Sequence, residues 1–82
     1  MPLSDKKVII AINELINPYV QCLGQEGAQK IISDAIRSQQ LIYKNEYTKE
    51  EAKKILEFLK SQEGFVAILA GILLSRIVLR NQ

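Results

Sequence analysis

Apolar positions recur at helical spacing in three stretches of the chain, and in a fourth the alternation disappears. Placed at 100° steps, Val8, Ile9, Ile12, Leu15, Ile16, Tyr19, Val20, Cys22 and Leu23 fall on one continuous face, with Asn13, Glu14, Asn17 and Gln21 opposite. This predicts an amphipathic helix from about Ser4, an N-capping residue with Asp5 in the first turn, to Leu23, closed by Gly24. Pro18 removes a backbone donor, so the helix is expected to kink there, or to divide with Pro18 at the first position of a second helix.

In the stretch 25–44, Ala28, Ile31, Ile32, Ala35, Ile36, Ile42 and Tyr43 share a face, with Lys30, Ser33, Asp34, Arg37 and Gln40 opposite. Gln39 falls on the apolar face near the helix end, where its amide is expected to reach water. Leu41 and Ile10, apolar residues on polar faces, are candidate exposed contacts. Asn45 is expected to take a left-handed conformation in a short connection over 44–47. The third helix opens with the strongest local signal, Thr48-Lys49-Glu50-Glu51, a capping box. Its buried face is Ala52, Ile55, Phe58 and Leu59, with Leu56 at the edge, and Gly64 ends it.

Residues 65–74 carry no polar side chain; Ser75 and Arg76 interrupt before Ile77, Val78 and Leu79. The run of Leu, Ile and Ala favours a helix, while an all-apolar stretch is also compatible with a buried strand. A helix apolar all round must be buried on all sides. The expected architecture is therefore all-α: one domain of four helices, or five if Pro18 divides the first, packed around the C-terminal helix. Ala67, Gly71 and Ser75 recur every fourth position and would admit a close helix crossing, with Phe65, Ile68, Ile72 and Val78 completing the contact. An 82-residue chain has little core with which to enclose such a helix, so a homodimer with this helix near the interface is expected.

The same stretch raises a membrane alternative, a small protein anchored by residues 65–79. At 1.5 Å per residue that segment reaches about 22 Å, short of a hydrocarbon core of roughly 30 Å, and Arg76 shortens it further. Charge adds a nucleic-acid alternative. Lys49, Lys53 and Lys60 align within about 40° on the third helix, but Glu50, Glu57 and Glu63 flank them. With 11 basic and 9 acidic side chains, the net charge of +2 steers only weakly toward phosphates.

Catalytic chemistry finds few residues to work with. The chain has no histidine and one cysteine. Cys22 is expected on a buried face near a helix C-terminus, where the dipole disfavours a thiolate. No spacing suits zinc or an iron–sulfur cluster, and no glycine-rich phosphate loop is present. Neither an enzyme nor a cofactor is expected. The single cysteine fits a reducing cytoplasm, and the N-terminal residues do not read as a signal peptide. The expected function is a non-enzymatic interaction module, an adaptor, regulator or assembly factor, homo-oligomeric and acting on a protein partner whose identity the residues do not name.

Overall fold

The computed structural model describes residues 8–79. The expected N-cap Ser4 with Asp5, and the terminal Arg80, lie outside the described residues. Element order is β1 (Ile9–Ala11), α1 (Ile12–Ser38), β2 (Glu46–Thr48), α2 (Lys49–Lys60) and α3 (Phe65–Leu79). Three helices and a two-stranded antiparallel sheet thus replace the expected bundle of four or five helices.

The first correction falls at the start. Val8, Ile9 and Ile10 form a short run of β-branched residues, and the last two enter a strand instead of a helical turn. The register pairs Ile9 with Thr48, Ile10 with Tyr47 and Ala11 with Glu46. Ile10, which helical spacing placed among polar residues, is therefore fully buried opposite buried Tyr47 and is no exposed contact. The Ile12 N–H then donates to the Asn45 carbonyl at 2.8 Å, joining the head of α1 to the loop before β2.

Helix α1 runs through Pro18 and is kinked instead at Gly24, whose φ of 80° and ψ of 169° leave the helical region. A glycine adopts that φ without the steric cost a β-carbon imposes. The two expected N-terminal helices are thus two arms of one kinked helix. Its C-terminus lies at Ser38, earlier than expected. Gln39 caps it; the Gln40 N–H bonds the Arg37 carbonyl and the Leu41 N–H bonds the Ile36 carbonyl, at 2.9 and 3.0 Å. This is a Schellman closure, and Gln40 with φ 61°, not Asn45, takes the left-handed position.

The chain then turns on Tyr47. Its buried hydroxyl accepts from the Lys44 N–H at 2.9 Å and donates to the Ile42 carbonyl at 2.8 Å. That clasp holds residues 42–44 as an outward loop, so Ile42 and Tyr43, expected on a buried helical face, are exposed. The capping box forms as expected. Thr48 Oγ1 accepts from the Glu51 N–H at 3.1 Å, and Glu51 Oε1 accepts from the Thr48 N–H at 3.0 Å.

Helices α2 and α3 form an antiparallel pair across the turn 61–64, where Gly64 takes φ 72° and its carbonyl accepts from Ala67 and Ile68. The core is built from α1, the sheet and α2: Ile10, Leu15, Ile16, Tyr19, Ile32, Ile36, Tyr47, Ile55, Leu56 and Leu59 are all buried. Only Ala70, Leu73 and Ile77 of α3 are buried, so the C-terminal helix covers the core from outside and is not its centre.

Candidate functional site

Helix α3 packs chiefly on α2 and along one edge on α1. Its inward stripe, Ala70, Leu73 and Ile77, is spaced i, i+3, i+7, so the opposite side of an almost wholly apolar helix is left outside. Ile68 is 67% exposed, Ile72 46%, Phe65 43%, Val78 45% and Leu79 79%. Nearly polar-free sequence and one-sided packing together produce this surface.

One long-range bond fixes the helix against α1. Tyr19 is fully buried, and its hydroxyl donates to the Val66 carbonyl at 2.8 Å in the first turn of α3. Burial, reinforced by the electrostatic influence of neighbouring Cys22, pushes the Tyr19 hydroxyl up to about 12. The other end is held by α2, where Lys49 Nζ donates to the Val78 carbonyl at 3.1 Å.

The row expected at a close helix crossing is not at one within this chain. Ala67 and Gly71 are half-buried and Ser75 is exposed. A β-carbon built on Gly71 would meet no heavy atom within 4 Å. Gly71, Leu74, Ser75, Val78 and Leu79, with Lys60 of α2, line an open hollow of about 350 Å³.

On the other side of α3 a groove separates it from the first arm of α1. Asn13, Asn17 and Gln21, every fourth residue of α1, face Leu69, Ile72, Leu73 and Arg76 across it. This amide rim and Arg76 are a part of the surface that helical spacing did not single out. The signal for it was available in the i, i+4, i+8 spacing of Asn13, Asn17 and Gln21 on the polar face of α1, which also carries Glu14.

The lysine stripe is divided in the fold. Lys49 is engaged by α3, Lys53 is half-buried and Lys60 lines the hollow. Cys22, expected to be buried, is exposed two residues before the kink at Gly24. Among the described residues no group of three or more His, Cys, Asp or Glu side chains is placed to hold a metal ion. No described helix is long and apolar enough to cross a membrane. The Glu51 carboxyl is held below its ordinary range, chiefly by the Thr48 N–H it accepts from and secondarily by Lys44, which reaches it at 3.4 Å. This describes a helix cap, not a reactive group.

No family model matches the chain, and neither a curated protein nor a solved structure matches it.

Proposed function

We propose that this protein is a non-enzymatic helical interaction module, an adaptor, regulator or assembly factor, that forms homo-oligomers through the outer face of α3. The observation that carries this reading is the alignment of Phe65, Ile68, Ile72 and Leu79, with Val78 at the margin, on one exposed helix face. Scattered single exposed apolar residues are ordinary, but an aligned set rimmed by polar groups marks an interaction surface. The rim here is Asn13, Asn17 and Gln21 on one side and Lys60 on the other.

The magnitudes suit a reversible association. Covering a half-exposed Ile, Leu, Val or Phe is worth about 1–2 kcal/mol, so ten such side chains across two copies supply roughly 10–20 kcal/mol. Association itself costs about 4–15 kcal/mol. The surplus is small, which corresponds to dissociation constants in roughly the micromolar range. An exposed cysteine without a disulfide partner fits the reducing cytoplasm as the compartment.

The test is Ile68→Asp with Ile72→Asp, followed by sedimentation velocity without detergent. The wild type is expected to associate as concentration rises, and the double variant to remain a folded monomer with an unchanged circular dichroism spectrum. Association indifferent to both charges would refute α3 as the surface. Aggregation of the wild type relieved only by detergent would transfer the surface to lipid.

A further inference from the structure

Gly24 bends α1 with a φ of 80° and a ψ of 169°, a combination open in practice to glycine alone. Gly27 serves the same bend. A β-carbon on it would lie 3.0 Å from Cβ of Leu23, whereas residues four apart on a regular helix hold their β-carbons about 5–6 Å apart. The kinked form therefore draws on glycine at both positions, and a straight helix needs it at neither.

No side chain holds the bend in place. Residues 21–26 are all exposed, and among the described residues none of their side chains makes a hydrogen bond or an ion pair. Gln21, Leu23, Gln25 and Glu26 are good helix formers, so the local sequence suits a helix that runs straight through. Packing at a distance keeps the arms folded. Ile10, Ile12, Leu15, Ile16 and Tyr19, all before the bend, are buried. The bonds that fix this segment reach elements after the bend: β1 pairs with β2, the Ile12 N–H with the Asn45 carbonyl, and the Tyr19 hydroxyl with the Val66 carbonyl.

We infer that Gly24 is a hinge, and that β1 with the first arm of α1 is exchanged between two copies of this chain. Each arm then occupies in the other copy the place it holds here, and α1 straightens into one helix. A lone chain that straightened α1 would pull the buried side chains of the arm out of the core, so the straight form needs a second copy. Reciprocal exchange restores the same pairings in a closed two-fold dimer. The surface that receives the arm is the one the arm already fits, and the outer face of α3 takes no part.

The experiment uses the full chain with Ile68→Asp and Ile72→Asp, which suppress association through α3, and with Ala11→Cys, Glu46→Cys and Cys22→Ser. Ala11 and Glu46 are partners across the two strands, close enough for a disulfide. Oxidation and non-reducing electrophoresis then report whether β1 lies on its own β2 or on that of another copy, and sedimentation velocity gives the mass. With both hinge glycines in place the link is expected chiefly within the chain. Gly24→Ala bars the bend and is expected to move the link between chains and to double the mass, with the helical circular dichroism kept. Gly27→Ala is expected to shift part of the population the same way.

A Gly24→Ala chain that stays monomeric with its link inside the chain overturns the hinge. So does a dimer whose links all remain within chains, which is an association of folded monomers. Where Gly24→Ala does not fold, Gly27→Ala decides: links between chains support the exchange, and a purely monomeric product overturns it.

Discussion

Replacing Tyr19 by Phe removes one oxygen and leaves the ring in place. That oxygen is the side-chain donor that ties α3 to α1: the hydroxyl is fully buried and 2.8 Å from the Val66 carbonyl. The carbonyl keeps its position in the backbone ladder of α3, so the variant strands no buried donor, and the cost is that of a net hydrogen bond, about 0.5–1.5 kcal/mol. For a domain of this size about 1 kcal/mol corresponds to a fall of roughly 4–8 °C in Tm. Differential scanning calorimetry at neutral pH reads it, with Tyr43→Phe as a control because Tyr43 is half exposed in the outward loop. The control is expected to melt with the wild type. A Tyr19→Phe Tm indistinguishable from wild type would refute the docking of α3 on α1, and with it the assignment of which face of α3 is outside.

Three further outcomes follow from the same geometry. Gln40→Gly is expected to raise stability by about 0.5–1 kcal/mol in urea unfolding, because Gln40 holds a φ of 61° at the close of α1 without the freedom glycine has there. Thr48→Ala removes the acceptor of the α2 capping box and is expected to cost about 1 kcal/mol, read as a lower urea midpoint at unchanged slope. The third outcome concerns alkaline pH. An unfolded Tyr19 ionises near its ordinary value of 10.0, whereas the folded one keeps its proton to about 12. The folded state therefore binds more protons in that window, and stability is expected to be intact below pH 10 and to fall as pH rises toward 12. Tyr47, raised chiefly by burial, adds to the fall, so Tyr19→Phe should flatten the pH dependence without abolishing it.

Long periodic stretches were legible in the chain. The inward faces of α1 and α2, the break at Gly24 and the Thr48 capping box all follow from local rules that act within one or two turns. The two strands were not legible, because three residues are too few for alternation to register, and Ile9 also fits a helical face. The leftover position was the available clue: Ile10, apolar among polar residues on a helical wheel, is buried once the segment is extended. The end of α1 was missed for a related reason. Ile42 and Tyr43 continue the apolar period, but the hydroxyl of Tyr47 captures the backbone of residues 42 and 44, a contact no periodicity contains.

At α3 the composition pointed to complete burial, and the packing covers only one stripe. A helix without polar residues carries no phase, so nothing in its own pattern says which side faces the core. That choice is made by Tyr19 and Lys49, which hold its two ends from other helices. Phe65, Ile68, Ile72 and Val78, expected as contact residues, stand exposed on α3, whereas the hollow at Gly71 and the amide rim of α1 emerge only when α3 is set beside its neighbours.

The central claim is that the outer face of α3 is covered by protein. Light scattering across a concentration series of the wild-type chain, without detergent, tests it most directly. The account predicts a mass that rises from the monomer value of 9.3 kDa toward twice that value and levels off there. A mass fixed at 9.3 kDa up to about 1 mM, beyond the range the exposed apolar area supports, would contradict it.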